Sequence, residues 1–241
     1  MSILASKLGE QYGFKPELGG RIVQDVLPVA GVEETQQSIS SNVRLEDHVE
    51  MAFSDYRSDY VGLLCIRPDH ERVAATTLAS IDRILPSLDS ETVRILREPR
   101  FKTELDESFV VGGDFRNRIW IGPIAVLSGE GRRPRLRGDF ALTLGLDTEA
   151  EAALESLQGA TEKATCAVVL DAGDLVIVDN HHAFHGRTLF RARYDGRDRW
   201  LLRTFVIRDL SRTEDVRPGD GRIVDTDYSL GADVLMKEAI A

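Results

Sequence analysis

Seven consecutive residues, Tyr60-Val61-Gly62-Leu63-Leu64-Cys65-Ile66, carry no charged or amide side chain, and Pro68 closes the run. An apolar segment this short, bounded by a proline, suits a strand buried on both faces. Leu175-Val176-Ile177-Val178 and the stretch from Trp200 to Ile207 have the same character. Arg118 to Leu127 is also apolar and β-branched, and Ile22 to Leu27 is a shorter run stopped by Pro28. Helical signals are fewer. Ala74 to Leu85 puts Leu78, Ile81 and Leu85 on one stripe before Pro86, which predicts a helix ending there. Ser90 is placed to cap a second short helix through Leu96, with Glu91 in its first turn. Asp147 caps an amphipathic helix from Thr148 to Gln158, with Ala150, Ala153, Leu154 and Leu157 inward and Gly159 at its end. The polar, glycine-rich stretch from about residue 211 predicts a peripheral tail with one short helix near Val234. Strands separated by occasional helices define a mainly β chain, of α+β or barrel-like architecture.

The 241 residues fit one domain with a substantial core. A formal net charge of −10 argues against a broad nucleic-acid surface, and Arg132, Arg133, Arg135 and Arg137 read as a solvated basic loop. No apolar run approaches the roughly 18 residues of a membrane span, and the first residues lack the apolar core of a signal peptide. The expectation is a cytoplasmic protein that works without membrane or nucleic acid. Cys65 and Cys166 both lie in apolar runs, where free thiols behave as small buried hydrophobes.

The histidines narrow the chemistry. Of five, His181, His182 and His185 crowd into Asp179-Asn180-His181-His182-Ala183-Phe184-His185-Gly186-Arg187, directly after the Leu175–Val178 run. His70, in Pro68-Asp69-His70-Glu71, reads as a surface residue at the start of the Ala74–Leu85 segment. His48-Val49-Glu50 is a short pattern, common by chance. In a strand, however, residues i and i+2 share a face about 7 Å apart, so an imidazole and a carboxylate could converge there. One further histidine completes a set of two histidines and one carboxylate, which leaves positions open on a non-haem iron(II) ion. Arg199 and Arg203 are four residues apart in a strand, hence on one side and about 13 Å apart. Each could fork a carboxylate with two parallel hydrogen bonds. Thr76, within Ala74-Ala75-Thr76-Thr77, offers a compact hydroxyl donor.

Leu45 to Phe53, Leu63-Leu64-Cys65-Ile66-Arg67, Ala75-Thr76-Thr77, and the segment from Gly173 through His185-Gly186-Arg187-Thr188 and Arg193-Tyr194-Asp195-Gly196 to Arg199-Trp200-Leu201-Leu202-Arg203 together resemble the clavaminate synthase-like branch of the iron(II)/2-oxoglutarate oxygenases. That branch includes asparagine oxygenase and arginine β-hydroxylase. The resemblance covers about residues 10 to 210. It implies a double-stranded β-helix, or jelly-roll, core with flanking helices, and an iron(II)-dependent dioxygenase that uses O2 and converts 2-oxoglutarate to succinate. It implies His48, Glu50 and His185 as metal ligands, and Arg199 with Thr76 as holders of the distal carboxylate of 2-oxoglutarate. Arg203 would meet the carboxylate of an amino-acid substrate, and Asp139 its polar side chain. His185 is preferred over His181 and His182 because it precedes Gly-Arg-Thr at the right distance from Arg199. Related halogenases have a small residue where Glu50 stands, so Glu50 implies hydroxylation, of the β-carbon of a free amino acid or a derived small molecule, as in antibiotic biosynthesis.

Two departures bear on the substrate. Only 47 residues precede His48, fewer than in comparable members, which raises the expectation of a different cover, including a homo- or hetero-oligomeric partner. Ala141 stands where some arginine hydroxylases would show a second acid near Asp139, which favours a smaller or neutral side chain over a guanidinium. The competing readings are desaturation or cyclisation at the same metal site, a non-catalytic partner subunit of a full-length relative, and a cupin-type metal enzyme with no need for Arg199.

Overall fold

A computed structural model describes residues 1–109, 117–219, 221–228 and 234–239. In chain order it contains α1 (Ser2–Ala5), β1 (Glu10–Phe14), β2 (Val23–Val26), β3 (Leu45–His48), β4 (Tyr60–Arg67), β5 (Ala75–Ser80), α2 (Ile81–Ile84), α3 (Ser90–Leu96), β6 (Phe101–Glu104), β7 (Asn117–Ile124), β8 (Leu127–Ser128), β9 (Arg135–Leu136), β10 (Thr143–Gly145), α4 (Thr148–Ala164), β11 (Cys166–Val169), β12 (Leu175–Asp179), β13 (Ala183–Arg187), β14 (Trp200–Ile207), β15 (Ile223–Val224) and β16 (Val234–Ala239).

The apolar runs become the interior of a six-stranded sheet ordered β12-β4-β14-β1-β15. One edge of β14 is shared, with Leu201–Thr204 on β2 and Phe205–Ile207 on β1. A four-stranded sheet, β11-β5-β13-β3, is antiparallel throughout. Its side chains alternate as pleated strands require. Leu78 and Ala183 face a core built from Tyr12, Phe14, Val61, Leu63, Leu201 and Phe205 of the larger sheet. Ala79 and Phe184 face a second core with Ile81, Ile84, Leu96, Ala150, Leu154 and Leu157 of the helices. The result is a mainly β, jelly-roll core of two facing sheets, with helices on the outer face of one. Each fully buried aromatic contributes about 1.5–3 kcal/mol relative to exposure.

Several local expectations give way to tertiary pairing. Ala74 to Leu85 is mostly strand: β5 lies between β11 and β13, and that ladder outweighs the helical spacing of Leu78, Ile81 and Leu85. Helix starts only at Ile81, capped by Ser80, whose hydroxyl accepts from Asp82 N. Asp89, not Ser90, caps α3, accepting from Thr92 N at 2.7 Å. α4 runs through Gly159 to Ala164 because Ala160 and Thr161 are buried beyond it. The segment near Val234 is a strand antiparallel to β7, not a helix. Ile223–Val224 pairs with β1, and Val224 is fully buried. Cys65 is buried as expected, but Cys166 is exposed on the edge strand β11. Within the basic cluster, Arg137 is anchored rather than solvated, donating to Ala52 O and Phe53 O and pairing with Asp55 at 2.8 Å. Among the described residues no helix is long and apolar enough to cross a membrane.

Gly186 explains how closely β3 and β13 approach. A Cβ there would stand 2.6 Å from Leu45 O and 2.8 Å from Thr77 Oγ1. Gly186→Ala is expected to cost about 1–3 kcal/mol by overpacking, read as a lower urea midpoint; an unchanged midpoint would show that these strands can part freely.

A candidate metal centre and two buried arginines on one cavity

Antiparallel register sets His185 opposite His48, and their ring centroids lie 4.4 Å apart. Glu50 is just past the end of β3, in a turn whose next residue, Met51, is left-handed at φ 54°. The side chain of Asn180 holds that turn: its Oδ1 accepts Glu50 N at 2.7 Å, and its Nδ2 donates to Glu50 O at 3.1 Å and Ser58 O at 3.0 Å. One carboxylate oxygen of Glu50 is then 3.4 Å from His185 Nε2 and 4.0 Å from His48 Nε2. One ligand atom from each of the three residues lies within 4.8 Å of the others. Asn180 was not among the site residues read from the sequence. Its signal was a polar side chain at the end of a buried strand, directly before the histidines.

The protonation states suit a metal. His48 Nδ1 is 2.8 Å from Glu46 O, which can only accept, so Nδ1 donates there and Nε2 is the nitrogen turned toward the donor set. Burial, then the neighbouring His48, holds His185 below its ordinary pKa and so neutral. Burial would raise Glu50, but Arg203, His185 and His48 outweigh it and bring it down to about 2. Two imidazoles and one carboxylate are a donor set suited to iron(II).

The donors open on a cavity of about 380 Å³, a size suited to a small-molecule ligand, lined also by Glu17, Thr76, Asp106, Asp139, Arg187, Arg199 and Arg203. Arg199 is buried, and among the described residues its guanidinium makes no hydrogen bond or ion pair; burial lowers it to about 10, still charged at neutral pH. Arg187 is likewise lowered to about 10 by burial and by Arg199; it donates to carbonyls of Ser38, Ser40 and Val43 rather than to an acid. Thr76, opposite Arg187 in register, has a buried hydroxyl with no partner among the described residues. Two buried cations and a free hydroxyl thus surround space that favours an anion.

Arg203 is fully engaged. It pairs with Glu50 Oε1 at 2.7 Å and with Glu17, and donates to Gln24 Oε1. Asp139 bridges to His48 through the backbone, and its Oδ1 caps Ala141 N and Leu142 N. Burial raises the Asp139 carboxyl and raises Asp106, also in the cavity wall, further still. Asp106 carried no sequence signal, since only the fold brings it beside Asp139.

The other histidines have separate partners. His181 Nε2 meets Asp59 Oδ1 at 2.9 Å, and His182 Nδ1 meets Asp179 at 3.0 Å. His70 is half-buried, and the next element after it is strand β5; its Nε2 is 3.5 Å from Asp195 and 3.6 Å from Asp198.

A jelly roll with two histidines and a carboxylate beside buried arginines has the donor set of a two-histidine, one-carboxylate metal centre. The chain belongs to the taurine catabolism dioxygenase TauD, TfdA family, matching it over residues 4–205. L-asparagine oxygenase of Streptomyces coelicolor is 42% identical over 228 residues, covering 95% of this chain and 65% of that protein. L-lysine 3-hydroxylase of Catenulispora acidiphila is 35% identical over 223 residues, covering 92% and 62%. The crystal structure of asparagine oxygenase with Fe(II), 2S,3S-3-hydroxyasparagine and succinate superposes with a TM-score of 0.87 at 41% identity, covering 93% of this chain and 68% of that one. The chain therefore spans about two thirds of the length of these relatives.

Two predictions follow from the groups that hold the site. Asn180→Ala leaves the buried Glu50 N–H without its acceptor and is expected to cost about 1–3 kcal/mol in urea denaturation; no loss would mean that the turn holds itself. For Asp59, burial opposes ionisation, but His181, Arg208 N and Arg212 hold the carboxyl below its ordinary range; burial, then Arg57, lowers His181. Both folded-state values lie below the unfolded ones, so their stabilisation is full above the unfolded values. It is lost as pH falls, for His181 below about 6.5 and for Asp59 below about 4. Asp59→Asn should lower stability at pH 7 and flatten its decline between pH 5 and 3; an unaltered acid slope would exclude Asp59 as its source.

Proposed function

We propose that this chain is an iron(II)- and 2-oxoglutarate-dependent dioxygenase that hydroxylates an unactivated C–H bond of a free amino acid or amino-acid-derived small molecule. The observation that carries the reading is the sharing of one cavity by the His48, Glu50 and His185 donors and by buried Arg199 and Thr76, whose side chains have no hydrogen-bond partner among the described residues. His48, Glu50 and His185 would hold iron(II). The bound metal supplies the oxygen activation that protein side chains lack, driven by decarboxylation of 2-oxoglutarate to succinate.

The protein's part is binding and orientation. Arg199 and Thr76 present donors that fit the distal carboxylate of 2-oxoglutarate, and Arg187 adds positive charge to the same corner. Arg203 steadies Glu50 by one carboxylate oxygen and leaves the other toward the imidazoles. The adjacent Glu17 and Arg203 charges complement the ammonium and carboxylate of an α-amino acid, which would exchange with this internal pair. Asp139, facing the cavity beside His48, is placed to meet the substrate's polar side chain. Relatives named for oxidation of asparagine and lysine support an amino-acid substrate. Both sheets contribute to the one cavity, which supports reading the chain as a single oxygenase domain.

Anaerobic addition of iron(II) and then 2-oxoglutarate, followed by visible absorption, tests this. A weak charge-transfer band is expected in wild type and absent in His185→Ala. Arg199→Ala should retain iron but weaken 2-oxoglutarate binding roughly 10–100-fold, as loss of a charge-assisted pair predicts. A folded, iron-loaded wild type without the band would overturn the co-substrate assignment.

A further inference from the structure

Among the described residues Arg199 makes no hydrogen bond or ion pair that would aim it, so its direction depends on the backbone that carries it. That backbone is clamped on both sides. Before it, both carboxylate oxygens of buried Asp198 are in use, accepting Arg193 N at 2.8 Å and Tyr194 N at 2.6 Å. These bonds close a loop that turns through two left-handed residues, Tyr194 (φ 55°) and Gly196 (φ 77°). The carbonyl of the Asp198–Arg199 peptide accepts Arg67 Nε at 2.8 Å, and Arg67 also donates to Gly196 O at 3.0 Å. After it, Arg67 lies over the Trp200 ring, 5.9 Å from its centroid, and Trp200 Nε1 donates to Asp25 Oδ1 at 2.9 Å. Arg67 thus touches residues 196, 198 and 200 and does not line the cavity. Among the described residues it pairs with no acid; its donors go to backbone carbonyls.

We propose that Arg67 and Asp198 are positioning residues for Arg199, fixing the peptide from which the free guanidinium reaches the distal carboxylate of a 2-oxo dicarboxylate. The inference rests on the function proposed above. A planar fork must meet a carboxylate within a narrow angular range, so a loosened peptide weakens that contact even when the side chain is intact.

The test uses the full chain loaded with iron(II) under anaerobic conditions, titrated with 2-oxoglutarate and, separately, with 2-oxopentanoate. The second ligand has the same 2-oxo acid end and no distal carboxylate. In Arg67→Met, 2-oxoglutarate affinity is expected to fall roughly 10-fold, at the mild end of what loss of a supporting shell does to a site. Iron(II) and 2-oxopentanoate affinities should stay at wild-type values. Asp198→Asn, whose amide cannot accept both N–H groups, should behave alike; if it fails to fold, Arg67→Met carries the test. Equal 2-oxoglutarate affinity in wild type and Arg67→Met overturns the positioning role and leaves the proposed function standing. Parallel loss of iron or of both oxo acids marks a general structural role and overturns it as well. A wild type that binds no 2-oxoglutarate removes the function and the inference together.

Discussion

The pairing of His48 with His185 across adjacent antiparallel strands is the constraint on which the rest of the site depends. Because side chains alternate along a strand, a slip of one residue in that register would turn one imidazole toward the helices. The register is secured on the outer face of the same sheet. Asp47 accepts from Thr77 Oγ1 at 2.8 Å, and Gly186 lets the β3 backbone close over it. Glu50 then needs only a fixed turn to join the imidazoles, and the Asn180 amide supplies one. The donor set is thus held by ordinary sheet physics plus one buried side chain.

Charge in the cavity is arranged by division of labour. Arg203 is neutralised by Glu17 and Glu50 and holds one oxygen of the Glu50 carboxylate. Among the described residues Arg187 and Arg199 are left without acids, and Thr76 without a partner, in a region where unpaired polar groups cost several kcal/mol. An uncompensated buried cation is tolerated when the fold is made to receive an anion, and the neighbouring acidic side of the cavity, with Glu17, Asp106 and Asp139, offers polar groups to the rest of a ligand. The clamp around Arg199 belongs to the same logic: a side chain kept free of partners must be aimed by its backbone.

Much of the architecture was legible in the sequence because buried strands leave uninterrupted apolar runs. Tyr60–Arg67, Leu175–Asp179 and Trp200–Ile207 appear almost as the runs suggested. Where a local signal was ambiguous, context decided. Leu78, Ile81 and Leu85 have helical spacing, yet two flanking strands draw Ala75–Ser80 into a sheet. Gly159 would end a helix in isolation, but buried Ala160 and Thr161 carry α4 past it. Residues near Val234 have no strong pattern of their own and take strand form by pairing with β7.

For the site, the sequence by itself determined the chemical vocabulary: an H-x-E pair, a histidine before Gly-Arg-Thr, and two arginines spaced to share a face. These are local patterns, and strand periodicity carries them into space. Only the tertiary structure decided that Asn180 pins the turn and that Asp106 joins Asp139 in one wall. It also decided that Arg203 is occupied while Arg199 is free. The reason is physical: burial, and the presence or absence of a partner, arise from contacts between residues as far apart as Glu50 and Arg203, which no spacing along the chain encodes.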